Sequence, residues 1–280
     1  MTPHGQTGLV TGPGTYSGRM DEVFAARADG SVLRSGAIVR RPLQPWSGAV
    51  HALLAHLGSV GFTAAPRLIG LEGDTEVLTF LPGESGADGW AKVVDEDGLR
   101  AAARLLRSYH DAVRTWRPAD AGAPVWADGS TGVGGGLGGE DGEIVCHGDF
   151  GAWNIVWAGI DPVGLLDWDY AHVAPALSDV AYALEYVAPF RSDDEAIRWL
   201  RYPSAPDRPR RIAIFADAYG LASTDGLVDA VAAEQRRGRA LVAALAERGV
   251  ARQVAMVMEG YLAELDERIA WTSTHRHLLE

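Results

Sequence analysis

HGDFGAWNIVWAGIDPVGLLDWDY, residues 147–170, places a histidine, an asparagine and four aspartates in a run that is otherwise mostly apolar. Ile144-Val145-Cys146 is a short apolar approach to it, residues 147–154 read as a loop, and IVWAGIDPVGLLD reads as two strands around a turn near Gly159 to Pro162. With the turn centred between residues 160 and 161, positions 154 and 167 lie equally far from it and fall opposite each other. Cross-strand partners sit about 5 Å apart, so the amide oxygen of Asn154 and the carboxylate of Asp167 are placed to share one hard cation. Mg²⁺, which takes one or two protein oxygens and completes its shell with waters and phosphates, is the natural candidate. Asp149, five residues before Asn154, faces the same point and is free to accept a proton from an incoming hydroxyl. Asp161 is left in the turn as a solvated acid. Without a cation and a substrate, so many carboxylates in an apolar setting would repel one another and carry a desolvation cost.

Working outward, the chain divides into a strand-rich beginning and a helical remainder. EVFAARADGSVLRSGAIVRRP, residues 22–42, reads as three short strands with turns at Ala28-Asp29-Gly30 and Ser35-Gly36. AVHALLAHLGSVGF then carries Val50, Leu53, Leu54 and Leu57 at helical spacing, and APRLIGLEGDTEVLTFLPG gives two more strands around Glu72-Gly73-Asp74. Beyond them the pattern predicts helices over 97–114, 178–187, 211–219, 225–248 and 251–270, with another started by a capping box at Ser192 to Glu195. The expected fold is α+β and bilobal. A five-stranded antiparallel sheet with one helix forms an N-terminal lobe over 21–82; a larger, mostly helical lobe follows over 83–280. Residues 1–20 read as a flexible leader. Clefts between such lobes are where ligand sites usually lie.

Composition narrows the function. With 280 residues, 47% of them hydrophobic, the chain can bury a sizeable core, and its net charge of −12 argues against a protein that reads nucleic-acid backbones. One cysteine, Cys146, rules out an internal disulfide and suits a reducing compartment. No apolar run reaches the roughly 20 residues of a membrane span. The expectation is a cytoplasmic protein with no nucleic-acid or membrane partner.

His147-Gly148-Asp149, four residues, Asn154 and then Asp167 resembles the catalytic loop and metal aspartate shared by protein kinases and the aminoglycoside and choline phosphotransferases. HGDxxxxN followed by DWD is similar to the small-molecule branch. The layout is similar over about 22–270, and the motifs are specific over 144–182. The resemblance implies Asp149 as the base or orienter of an acceptor hydroxyl, with Asn154 and Asp167 holding Mg²⁺ against the phosphates of ATP or GTP. It further implies His147 as a scaffold residue tying the loop to neighbouring backbone, and Asp179 as the aspartate that braces the loop from below. Asp169 is either a support or a strand-end carboxylate, and with Trp153 it is a candidate for the acceptor pocket. Only ten residues separate Asp167 from the helix near Ser178, and no Ala-Pro-Glu appears, so there is no room for the segment on which protein substrates dock.

The pattern also departs from that family. Where its third strand carries a lysine, the matching strand here reads Ala37-Ile38-Val39-Arg40-Arg41-Pro42, with Arg40 at the lysine's place. The position of the partner glutamate falls on His51, left either to hydrogen-bond Arg40 or to lie at the helix surface, so the usual ion pair is missing. The phosphate-covering loop falls at Ala28 to Ser31 with one glycine, leaving Gly30 and Ser31 as its candidates. Phe80 and Leu81 resemble the hinge whose backbone receives the base. GGGLGG at 134–139 lacks the flanking strand and helix of a dinucleotide loop, and no GxxxxGK[ST] occurs, which excludes a P-loop enzyme. Three functions follow. The first is an enzyme moving the γ-phosphoryl group of a nucleoside triphosphate to a small-molecule hydroxyl. The second is a non-catalytic binding or immunity protein on the same scaffold. The third is a metal-dependent phosphohydrolase using His147, Asp149, Asp167, Asp169 and His172, which has too few ligands for a two-metal site.

Overall fold

Strands β1 (Glu22–Arg27), β2 (Gly30–Ser35) and β3 (Ile38–Pro42) form a meander, and β4 (Leu68–Glu72) and β5 (Thr75–Thr79) complete an antiparallel sheet of order β1-β2-β3-β5-β4. The computed structural model describes residues 22–27, 30–116, 124–132 and 142–280. The leader, the Ala28-Asp29 turn and GGGLGG lie outside the described residues; of Gly30 and Ser31 only the backbone, opening β2, is described. Between β3 and β4 runs α1 (Ser47–Ser59), whose Val50, Leu53, Leu54 and Leu57 are all buried, as their spacing requires.

The second lobe begins with α2 (Ala87–Val94) and α3 (Glu96–Val113). Asp95 caps α3 by accepting from the Asp97 N–H, and Leu99, Ala102, Leu106, Tyr109 and Val113 form its buried stripe. β6 (Glu143–Cys146) pairs with β9 (His172–Pro175), a strand that sequence periodicity did not predict. Between them, β7 (Ile155–Ala158) and β8 (Asp161–Leu165) form the expected hairpin. Helices α4 (Leu177–Val187), α5 (Asp193–Leu200), α6 (Arg208–Tyr219) and α7 (Leu227–Glu247) follow, with the Ser192–Glu195 capping box in place at the start of α5. The expected last helix is broken at Gly260, whose φ of +89° ends one run and opens another, giving α8 (Ala251–Met258) and α9 (Tyr261–Thr274).

One cluster of buried side chains draws on both lobes: Leu53 and Leu57 from α1, Leu78 from β5, Leu106 and Tyr109 from α3, Val145 from β6, and Trp168. The chain passes between lobes at residues 80–84. There the Phe80 N–H is bonded to the Ala37 carbonyl, and Glu84 and Trp157 exchange backbone hydrogen bonds of 2.8 Å. Among the described residues, no helix is long and apolar enough to cross a membrane.

Candidate active site

The loop between β6 and β7 is held from beneath by one carboxylate. Asp179, in the first turn of α4 and fully buried, accepts from the backbone N–H groups of His147 (2.6 Å) and Gly148 (2.8 Å) and from His110 Nε2 (3.0 Å). Burial alone would raise its carboxyl, but the bond and charge of His110, the charge of His147 and the Gly148 N–H outweigh that and bring it down to about 2. Gly148 turns the chain at φ +77°, and a Cβ there would lie 2.0 Å from the Tyr170 carbonyl oxygen, so only glycine fits. His147 takes the Asp149 N–H on Nδ1 (3.2 Å) and donates from Nε2 to the Leu166 carbonyl (3.0 Å). Those two partners fix its tautomer, and burial pushes its pKa down to about 4, so it is neutral at pH 7.

Asp149 is presented by this loop with both oxygens in use. Oδ2 accepts from Asn154 Nδ2 at 2.8 Å, and Oδ1 accepts from the Tyr182 hydroxyl. Burial, and after it the charge of Asp167, raises the Asp149 carboxyl to about 7, while Tyr182, Arg252 and Asn154 pull the other way. Tyr182 did not figure among the sequence candidates. Its signal was present, because it follows Asp179 by three residues on α4 and so shares the helix face that meets the loop.

The hairpin register differs from expectation. The pairs are Ile155 with Leu165 and Val156 with Gly164, then, past an irregularity, Trp157 with Pro162 and Ala158 with Asp161. The tight turn is therefore Gly159-Ile160, and Asn154 lies opposite Leu166, whose N–H donates to the Asn154 carbonyl at 2.8 Å. Asp167 is thus one residue past the pairing rather than a cross-strand partner. Its backbone is left-handed (φ +61°, ψ +69°), a conformation that turns the chain into the following single helical turn, Trp168–Tyr170.

The cation of the site is Arg41, which corrects the assignment to Arg40. In the β3–β5 register Arg40 is opposite Val77 and Arg41 opposite Glu76, and neighbours on a strand point to opposite faces. Arg40 forms an ion pair with half-exposed Glu72 (2.9 Å). Arg41 instead reaches across the lobes. It donates to Glu76 from Nε and to both Asp169 oxygens (2.9 and 3.1 Å), and its Nη1 lies 3.7 Å from Asp167 Oδ1. Burial would lower the Arg41 pKa, but Asp169, Glu76 and Asp167 outweigh it and the guanidinium stays charged. His51 of α1 donates to the second Glu76 oxygen, so it supports Arg41 through Glu76 rather than Arg40 directly. The ion pair that seemed missing is present, with its acid on β5 instead of α1. Both oxygens of Asp169 accept from Arg41. From the far side, Arg252 of α8 comes within 3.9 Å of Asp167 Oδ2.

Trp153, four residues after Asp149, stands in a group of partly exposed rings, its centroid 5.1 Å from Trp90 and 4.8 Å from Tyr186. At the interlobe crossing Phe80 packs under the Arg34 guanidinium (3.7 Å), and the side chain of Leu81 lies against Gly164 of β8. The donor set suits Mg²⁺. The Asn154 amide spends its NH₂ on the Asp149 carboxylate and backbone, leaving Oδ1 as its oxygen donor, and Asp167 supplies a carboxylate. Among the described residues no cluster of three or more His, Cys, Asp or Glu could cage a metal, so phosphates and waters would have to complete the shell.

A model of the phosphotransferase enzyme family matches residues 140–215. The trifolitoxin immunity protein of Rhizobium leguminosarum bv. trifolii is 34% identical over 205 residues, which cover 71% of this chain and 74% of that protein. In structure the chain is similar to a choline/ethanolamine kinase family protein from Mesorhizobium loti, with a TM-score of 0.54, 13% identity, and 92% and 93% of the two chains covered. It is also similar to the gentamicin–APH(2")-IIa complex, with a TM-score of 0.54, 10% identity, and 90% and 91% covered.

Proposed function

The chain belongs to the phosphotransferase enzyme family, and from that membership we propose that it moves the γ-phosphoryl group of ATP or GTP to a hydroxyl of a small molecule. The observation that carries this reading is Asp149. It is a buried carboxylate held by Asn154 and Tyr182 on a loop braced by Asp179, with Asp167 and Arg41 beside it. The acceptor hydroxyl donates its hydrogen bond to Asp149 and is aimed by it. As the hydroxyl oxygen bonds to the γ-phosphorus and the bond to the β-phosphate oxygen breaks, Asp149 takes the proton and later releases it to water. A pKa near 7 leaves Asp149 basic enough for that transfer. Asn154 and Asp167 would hold Mg²⁺, which would supply neutralisation of the phosphate charge. Arg41 supplies a second, fixed positive charge at the same carboxylates, and Arg252 a third from the opposite side. We place the reaction in the cytoplasm, where nucleoside triphosphates are held and a free, buried Cys146 stays reduced.

A second reading, a non-catalytic binding or immunity protein, has one observation in its favour. Arg41 is already engaged by Asp169 and Glu76, so it offers phosphate less than a free cation would. The relative named an immunity protein fits either reading, since protection follows from modifying a toxic molecule or from binding it. Discrimination is direct. Under the enzymatic reading Mg-ATP or Mg-GTP raises the melting temperature, Asp149→Asn slows product formation by about 10²–10⁴-fold, Asp167→Ala abolishes it, and both variants lose protection of cells. Protection unchanged in both variants, with no nucleotide effect on melting, sinks the enzymatic reading and leaves the binding one.

A further inference from the structure

Two buried arginines of the helical lobe are hydrogen-bonded at both Nε and Nη2. Arg208 donates to the carbonyls of Pro189 (2.7 Å) and Arg191 (2.7 Å) and to Asp193 (2.8 Å), and Arg211 donates to the carbonyls of Val187 (2.6 Å), Val94 (2.9 Å) and Val93. Arg191 is as deeply placed, at 6% exposure, yet its Nε and Nη2 have no hydrogen-bond partner among the described residues. Its nearest acid is Glu185, with Oε1 3.7 Å from Nη2, too far for a hydrogen bond, and that oxygen is also unbonded. Arg268 of α9 stands 3.9 Å from the same oxygen. Two guanidiniums therefore share one carboxylate. A buried guanidinium with idle donors is costly unless something else uses them.

The place of this group gives the ligand. Glu185 and Tyr186 lie on α4 one turn beyond Tyr182, whose hydroxyl holds Asp149. The Tyr186 ring is 5.3 Å from Tyr182 and 4.8 Å from Trp153, and the Arg191 guanidinium carbon lies 5.0 Å from its centroid. A line of partly exposed rings thus runs from the proton acceptor to a pair of arginines carrying one more positive charge than Glu185 neutralises. Glu195 is the other acid near Arg191, and its carboxylate is tied to Ser192 in the capping box.

We infer that Arg191 and Arg268 form an anion subsite of the acceptor pocket, so that the molecule phosphorylated at Asp149 is a hydroxylated anion, with an apolar body on Trp153 and Tyr186. The planar fork of Arg191, with Nε and Nη2 on one edge, matches the two oxygens of a carboxylate or phosphate. This rests on the phosphotransferase reading for the hydroxyl end and on the arginines alone for the anionic end. A polycationic acceptor such as an aminoglycoside finds these two guanidiniums against it.

The test measures binding and product separately. Melting temperature and calorimetric titration are run with hydroxy acids and their methyl esters, phosphate monoesters and their parent alcohols, inorganic phosphate, and kanamycin, each at millimolar concentration. The wild-type protein should bind at least one anion, with ester, parent alcohol and kanamycin at least tenfold weaker. Arg191→Met, Arg191→Lys and Arg268→Gln should each weaken that binding tenfold or more while melting as cooperatively as wild type without ligand. The acid and phosphate arms separate the two possible headgroups. The subsite is overturned if no anion binds, if acid and ester bind alike, or if the arginine variants that fold bind as wild type does. Anion binding lost in the variants, with no phosphorylated product from any protein, overturns the phosphotransferase reading and leaves the subsite standing.

Discussion

Asp149 and Arg41 come to the lobe junction from opposite lobes and are held there by different physics. Asp149 is held by groups from a short span of chain, residues 147–182: a backbone turn at Gly148, a neutral His147, an amide, a phenol and the bracing Asp179. Of the charges around it, Asp167 lifts its carboxyl beyond the effect of burial, and Arg252 opposes that. Arg41 is held almost entirely by charge, between Glu76, Asp169 and Asp167, and its partners come from residues 35 and 128 positions away. The first arrangement positions a proton acceptor whose charge state can change. The second fixes a cation whose charge state cannot. A phosphoryl-transfer site needs both, because one group must move a proton while the other offsets phosphate charge without moving at all.

The largest effect should come from breaking the first side. Asp149→Asn keeps the shape but removes the proton acceptor, and general-base contributions run to about 10²–10⁴-fold in rate. We expect a loss of that size in single-turnover phosphoryl transfer, with a melting temperature at or above wild type, since a neutral amide relieves the repulsion with Asp167. Full activity in this variant would remove Asp149 from the chemistry.

Breaking the second side should read out chiefly as stability. Arg41→Met leaves Glu76, fully buried, and Asp169, nearly so, without their cation. Removing one partner of a buried ion pair costs about 3–5 kcal/mol. Arg40→Met removes the pair with half-exposed Glu72, and such pairs are worth about 0–1 kcal/mol. Urea denaturation of the two variants should therefore differ several-fold in lost stability. Equal losses would mean that the register assigned to β3 is wrong.

That contrast also explains what could be read from the sequence. HGDxxxxN, the strand meander, the amphipathic stripe of α1 and the capping box at Ser192 each rest on local spacing, and the structure has each of these elements. Arg40 and Arg41 are adjacent, so a β-strand pattern admits either phase, and only pairing with Glu76 on another strand decides between them. The tight turn falls at Gly159-Ile160, one residue before the expected centre, which moves every partner by two; the irregularity at Val156/Trp157, which no residue type marks, restores one of these and leaves Asn154 opposite Leu166 instead of Asp167. Asp167 in a left-handed conformation likewise has no sequence mark. Tyr182 was legible by its i+3 relation to Asp179. Arg252, arriving from α8 more than 80 residues later, was not.

The smallest effect lies in the acid dependence of stability, where His147 and Asp179 act in separate windows. His147 has a folded pKa of about 4 against an ordinary 6.5, because it is buried; Asp179 and Asp167 oppose that from α4 and the hairpin, and His110 of α3 adds to it. The unfolded chain therefore binds the His147 proton first, and the His147 contribution falls as pH drops from about 6.5 to about 4, by at most about 1.4 kcal/mol per pH unit; Asp149, raised to about 7, is protonated first in the folded chain and opposes that slope from about 7 down to about 4. Asp179 has a folded pKa of about 2 against an ordinary 3.8. Its contribution, about 2 kcal/mol, is fully present above the unfolded value and disappears as pH falls from about 4 through about 2. Asp179→Asn should lower stability at neutral pH and flatten only the lower window, whereas His147→Phe should act only on the upper one, leaving the Asp149 slope, by which stability rises as pH falls from about 7 to about 4. Chemical denaturation across both windows measures this. If Asp179→Asn flattened the upper window instead, its carboxylate would be acting through the charge of His147, and the loop would be braced by an ion pair rather than by the hydrogen bonds to its backbone.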